Sequence, residues 1–576
     1  MKRRQGHGQA GYGAVKEKLQ GVDPIANGED HTNVGANTKS MGDPAQSKTP
    51  RTSGNIMHEN RETWSASAAQ SGGRIVGEGD SRTTHRQAGQ ESDSGVVPMK
   101  GLNKGGQPTA ESLEGRPETK ENVRQPHMRP TQGGPRMSQG LEGVRRAAKE
   151  RKQEKFTALL HHLTIGLLRE SFHSIKRSAA AGVDQMTWQE YAEGVEDRLR
   201  ELHDRVHRGA YRAQPSRRVY ILKSDGRQRP LGVAALEDKI VQHAVTRILN
   251  QIYEADFQGV SYGFRPGRSQ HQALDALTVG IERKKVNWIL DLDIRGFFDN
   301  LNHEQLVQYV EQRIADPRML RLIHKWLKAG VMEDGEWKET EVGTPQGSSI
   351  SPLLANIYLH YALDLWVMAW RKRARGDVIM VRYADDAVLG FENRDEAERC
   401  RRELQEQLRK VGLELHPEKT RMIEFGRFAA GNRKRRGEGK PETFDFLGFT
   451  HLCGKTRTAG YFTVKRKTIG KRMRAKLQEI RQKLRQRMHD AVPATGKWLR
   501  SVVQGYFNYH AVPGNGKRLQ AFRDGVIRYW RHTLRRRSQT DRLNWDRMVR
   551  LVRLWIPSIR IMHPYPSIRF DAIHPR

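Results

Sequence analysis

Residues Val378 to Glu392 read VIMVRYADDAVLGFE, two short apolar runs flanking Tyr383-Ala384-Asp385-Asp386. Their length and β-prone composition predict a hairpin with carboxylates at its tip. Adjacent carboxylates repel, and a half-buried turn weakens their hydration, so such a tip is costly unless a divalent cation offsets the charge. An Asp-Asp pair alone is common in solvated turns and decides nothing.

A second acidic strand lies upstream. Trp288 to Asn300, WILDLDIRGFFDN, begins as a strand, and the period of two places Asp291 and Asp293 on one face. Three carboxylates around two Mg²⁺ ions roughly 4 Å apart are what in-line phosphoryl transfer needs. The chemistry predicted is nucleotidyl transfer. Between the acidic strands, small residues of Gly343-Thr344-Pro345-Gln346-Gly347-Ser348-Ser349 let backbone approach a substrate, and Ser351-Pro352 is read as the cap and first turn of a helix.

The rest of the chain frames these strands. With 576 residues it exceeds one core, and two folded domains plus a tail are expected. A formal charge of +35 draws polyanions and makes nucleic acid the default partner. The two cysteines, Cys400 and Cys453, exclude a disulfide framework and a four-thiolate zinc site. No apolar run nears the roughly 20 residues that cross a bilayer, so a cytoplasmic protein without membrane contact is expected.

Residues 1 to 140 are rich in Gly, Ser, Thr, Gln and Arg and are read as a disordered tail, with Met99 or a later Met as an alternative start. Phe156, Leu159, Leu160, Leu163, Leu167 and Leu168 fall at helical spacing, and beyond them helix and strand patterns mix, an α+β texture. Near Val464 an amphipathic basic helix is predicted to open a second domain, with Ile469, Met473, Leu477, Ile480, Leu484 and Met488 as its apolar stripe. Trp530, Trp545 and Trp555 are read as core of that domain.

Four blocks carry a resemblance: GRQRPLG at 226–232, DLDIRGFFDN at 291–300, GTPQGSSISPLLANIYL at 343–359 and YADD at 383–386. In content and order they resemble group II intron reverse transcriptases, also called intron-encoded maturases, over about Leu141 to Phe570. The resemblance implies a right-hand polymerase: fingers and a palm with an antiparallel sheet over 141–460, then an α-helical thumb and maturase X domain over 461–576. The family's catalytic, metal-holding triad falls on Asp293, Asp385 and Asp386, with two Mg²⁺ ions, and Asp291 and Asp299 are left as surface or capping carboxylates. Phe298 matches the aromatic gate against ribonucleotides. Lys223 and Arg229 would grip the incoming nucleotide, with Gln346 close to it.

Template and primer contacts are implied for Arg265 in SYGFRPGRS (261–269), Tyr383, Lys419 in HPEKT (416–420) and Gly448 in FLGF (446–449). Lys419 would also protonate departing pyrophosphate. Gly505, Asn508 and Tyr509 of GYFNYH (505–510), with Arg535-Arg536-Arg537, combine aromatics and cations that suit structured RNA. Ala387 departs from the family, which more often has a large apolar residue there. With the sequence stopping soon after Pro566, no HNH endonuclease is expected.

The implied partners are intron RNA, a DNA target and primer, and dNTP substrates, with the oligomeric state, monomer or dimer on RNA, left open. Two other readings compete. One is a splicing-only RNA-binding maturase, against which the three intact acids stand. The other is a reverse transcriptase of a retron, a diversity-generating element or a defence locus, against which the GYFNYH block and basic terminus stand.

Overall fold

A computed structural model of the chain describes residues 139–222, 228–339, 342–343, 347–456, 459–537 and 543–575, all within the unit Leu102–Arg576. The expectations for the tail, for Lys223 and for Gln346 lie outside the described residues. What is described is α+β.

The central sheet is antiparallel, with β6 (Val378–Tyr383), β7 (Asp386–Phe391), β3 (Trp288–Leu292) and β8 (Arg421–Glu424) side by side in that order. Its strands are apolar on both faces because helices cover both. Ile289, Ile379, Val381 and Val388 pack with Leu274 and Leu277 of the helix Gln270–Arg283. Leu290, Leu292, Met380, Ala387 and Leu389 point the other way, into the core shared with Leu404 and Leu408 of the helix Arg394–Lys410. Period two therefore puts Asp291, Asp293, Tyr383 and Asp386 on the first face, at the strand ends.

A second sheet orders as β2 (Gln228–Val233), β1 (Ser216–Leu222), β4 (Val331–Glu333) and β5 (Glu336–Lys338), with β1 parallel to β4. β1 pairs antiparallel with β2, which sets Tyr220 opposite Pro230 and Ile221 opposite Arg229. A third sheet joins β9 (Phe444–Phe446), β10 (Phe449–Lys455) and β11 (Phe462–Thr468).

Three local expectations change. The stretch Phe156 to Leu168 is buried along its leucines but is not one helix: Asp316 accepts the Leu159 and Leu160 amides at 2.7 and 3.0 Å, and Thr164 caps a new helix, Ile165–Ser174. The basic helix begins at Gly470, not near Val464, because Val464 to Thr468 complete β11 and pair with β10. The third sheet therefore crosses residue 460, and the helical part starts after Thr468. Its separate core runs from Met473 to Ile556. Trp530 is wholly buried there and Trp555 packs against it, but Trp545 is exposed beneath the Arg531 guanidinium, 4.3 Å from its ring. No helix among the described residues is long and apolar enough to cross a membrane.

Candidate active site

The β6–β7 hairpin closes through Ala384 and Asp385, since Tyr383 is in register with Asp386. Of the two turn residues only Ala384 has positive φ, +57°, the pattern of a type II′ turn, which normally favours glycine at that position. β3 pairs with β7 through Leu292 and Ala387, so Asp293 follows directly across from Asp386. The block His416–Thr420 fastens Asp293 from behind: the His416 amide donates to its carbonyl at 2.7 Å, and Thr420 Oγ1 donates to the same carbonyl at 3.3 Å.

Charge accumulates at this point. Asp386 is exposed at the strand end, yet the protein around it costs its carboxylate hydration, and that desolvation, then the Asp385 and Asp293 carboxylates, pushes its carboxyl up to about 7. Burial also raises Asp385, against the pull of Arg229. Asp291, on the same face, is pushed up to about 6 by burial despite Arg421 3.6 Å away. Hard oxygen donors short of positive charge fit a divalent cation by type. Among the described residues, however, no three or more His, Cys, Asp or Glu side chains are arranged to hold a metal ion. Asp293 turns instead to Lys419, whose Nζ lies 2.8 Å from Oδ2.

The comparisons with known proteins bear on this same stretch. The family described as reverse transcriptase (RNA-dependent DNA polymerase) matches residues 221–451, which contain both acidic strands. Protein YkfC of Escherichia coli K12 is 36% identical over 258 residues, 39% of this chain and 67% of YkfC. The chain belongs to the reverse transcriptase family. Group II intron-encoded protein LtrA of Lactococcus lactis is 39% identical over 234 residues, covering 40% of this chain and 38% of LtrA. The putative COX1/OXI3 intron 2 protein of Saccharomyces cerevisiae is 35% identical over 166 residues, 28% of this chain and 19% of that protein. Matches thus span well under half the length of these last two relatives.

Within this reverse transcriptase domain the other expected residues divide. Arg229 on β2 acts electrostatically on Asp385. Phe298 packs at the edge of the main core, 5.3 Å from Phe297, and its carbonyl abuts Gly343, where a Cβ would come within 2.8 Å. The loop ahead of the helix Ser351–Leu359 is held by Gln242, whose Oε1 accepts from Ser348 Oγ at 2.7 Å and from the Ser349 amide at 3.1 Å. Ser351 is the first helical residue, with Ile350 ahead of it, and does not cap.

Arg265 is not placed to meet a template. It is buried, its fork spans the Glu254 carboxylate at 2.9–3.2 Å, and Nη1 donates to the Gln258 and Ser261 carbonyls at 2.8 and 2.9 Å. Every nitrogen is committed inward. In the same block Arg268 is the less buried cation, stacked 5.0 Å over Tyr262.

Gly448 and Leu447 both have positive φ, +82° and +44°, making the tight turn between β9 and β10. Tyr509 holds that turn, its hydroxyl donating to the Leu447 carbonyl at 2.8 Å and its ring 5.7 Å from Phe449. Tyr509 therefore serves internal packing, whereas Gly505 and Asn508 lie on the exposed face of the helix Val492–His510. Arg535 and Arg536 are exposed, and Arg537 donates to the Asp490 carbonyl.

Two cations were missed. Arg472, in the first turn of the helix Gly470–Gln486, lowers the Asp386 carboxyl and so faces the acids; in sequence it is one of many basic residues. Arg382, one residue before the YADD tetrad, is wholly buried with Asp364. An arginine among strand apolar residues was the available signal.

Proposed function

We propose that the chain is an RNA-directed DNA polymerase of a group II intron, copying RNA by two-metal nucleotidyl transfer and binding intron RNA to assist splicing and mobility. The observation that carries this reading is the register that sets Asp293 across from Asp386 beside the Asp385 turn, in a chain similar to intron-encoded proteins. In this reading residues 141–460 supply fingers and palm, the helices after Thr468 supply the thumb and X domain, and the partners are intron RNA, a DNA target and primer, and dNTPs.

Asp293, Asp385 and Asp386 would hold two Mg²⁺ ions. When bound, such ions lower the pKa of an attacking hydroxyl and steady leaving pyrophosphate. Arg229, beside Asp385, offers a planar fork suited to phosphate oxygens. Lys419 exchanges its contact with Asp293 for one with the departing group and carries the proton for it on Nζ. Phe298, next to Gly343, stands as the gate against a ribose 2′-hydroxyl. Gly505, Asn508, Arg535 and Arg536 present the RNA-facing surface.

Purified protein assayed for dNTP incorporation on a primed RNA template tests the reading, with Asp385→Ala as control. Metal-dependent DNA synthesis lost in the variant is the expected result. Intron RNA binding without any synthesis by the wild type would leave a splicing-only maturase.

A further inference from the structure

On the sheet face opposite the acids the fold buries a charge that the proposed chemistry does not use. The Arg382 fork grips Asp364, Nε to Oδ1 at 2.7 Å and Nη2 to Oδ2 at 2.5 Å, with neither side chain exposed. Its remaining nitrogen, Nη1, donates to the Ala384 carbonyl at 2.8 Å and to Asn356 Oδ1 at 3.0 Å. Asn356 Nδ2 in turn donates to the Gly263 carbonyl at 2.7 Å. The Arg382 backbone adds two bonds to the same loop, its amide to the Val260 carbonyl and its carbonyl from the Tyr262 amide, both 2.8 Å.

These bonds converge on the one strained residue of the acid turn. Ala384 has φ of +57°, which an L residue keeps only where its surroundings over-determine it. Gly263 packs directly against it, so closely that a Cβ there would fall 2.2 Å from the Ala384 amide nitrogen. A buried ion pair adds little net stability over well-packed apolar side chains, and its best-attested use is to fix one arrangement over others.

We propose that Arg382 is a positioning residue for Asp385 and Asp386. Anchored by Asp364, it fixes the Ala384 carbonyl and hence the turn, and through Asn356 it fastens that turn to Gly263. The loop 260–269 and the acids then keep one relative position. The inference rests on the reading that these acids hold the metals of a polymerase.

The test uses the full chain as wild type, Arg382→Lys and Gly263→Ala. Lysine keeps the charge beside Asp364 but loses the fork, whereas Gly263→Ala leaves the ion pair intact and forces the turn. Three quantities are read: the thermal midpoint, Mn²⁺ affinity without nucleic acid by the electron paramagnetic resonance of free Mn²⁺, and kcat and KM for dNTP on primed RNA. Both variants are expected to weaken Mn²⁺ binding by roughly 10- to 100-fold, the scale of lost support behind metal ligands, with kcat falling while KM for dNTP stays near the wild-type value.

Unchanged Mn²⁺ affinity and kcat in both folded variants overturns the proposal. If Arg382→Lys does not fold, Gly263→Ala decides, and unfolding of both reduces the network to a structural role and overturns it too. A wild type that binds Mn²⁺ but copies no RNA overturns the functional reading, while the affinities still decide the positioning role; a wild type that binds no Mn²⁺ overturns both.

Discussion

Arg382 and Asp364 stand 18 residues apart in sequence and meet at 2.5 Å with no solvent on either side chain. Removing one partner strands the other as an unpaired buried charge. Asp364→Ala is therefore expected to cost about 3–5 kcal/mol in urea unfolding, whereas the apolar pair Arg382→Met with Asp364→Leu recovers most of that stability. A loss below about 1 kcal/mol for Asp364→Ala would mean that the guanidinium reaches water after all.

Asp386→Ala separates chemistry from binding. The residue stands at the acid turn of the central sheet, whereas Asn508, on one helix after Thr468, and Arg536, at the end of another, are exposed. DNA synthesis should fall by more than about 100-fold, beyond what loss of an outer-shell partner usually does, with intron RNA affinity unchanged within about two-fold. Equal loss of synthesis and RNA binding, measured on one preparation, would refute separable sites.

How far the sequence disclosed this site depends on the range of the signal. The hairpin and the shared face of Asp291 and Asp293 follow from a period of two within single segments, so they were legible. Arg265 was misread because a loop arginine looks the same whether its partner is phosphate or, as here, Glu254 on the preceding helix. Arg466 falls in the stretch near Val464 where the local pattern predicts the start of the basic helix. It is buried on β11 and bonded at 2.8 Å to Asp275, 191 residues away, a distance over which composition and periodicity carry no information. The early start predicted for the basic helix has the same origin, since the pairing of β11 with β10 overrides local propensity.

Tyr509→Phe tests whether the GYFNYH block reads RNA through its second tyrosine. The hydroxyl bonds to Leu447, so its removal should lower stability by roughly 0.5–1.5 kcal/mol and leave RNA affinity unchanged. Filter binding at several salt concentrations together with thermal unfolding gives both numbers. Weaker RNA binding at unchanged stability would reassign the side chain to the RNA surface.

The arginine run divides in the same way. Exposed Arg535 and Arg536 are each expected to lower the slope of log affinity against log salt by about 0.7–0.9 when changed to Ala. Arg537 donates to the Asp490 carbonyl, which ties the end of one helix to the loop before another, so Arg537→Ala should lower the thermal midpoint without changing the slope. Three equal slope changes would show that this tie does not form in solution.

Stability should also depend on pH through a buried imidazole. His451 is wholly buried and stacked on Phe444 at 4.8 Å, and burial, then the neighbouring Arg466, holds its pKa down to about 3. An unfolded histidine takes up its proton near about 6.5. The folded state binds it only far lower, so the contribution is fully present above the unfolded value and is lost as pH falls toward the folded one. By pH 5 the loss is on the order of 2 kcal/mol. Asp238 works in the opposite sense, because burial raises its carboxyl to about 6 and its contribution fades as pH rises through that value. The informative quantity is therefore the difference between wild type and His451→Phe, which keeps the stacked ring and removes the proton site. Urea unfolding from pH 7.5 to 5 should show the variant gaining on the wild type as the solution is acidified, and parallel curves would place the acid sensitivity elsewhere.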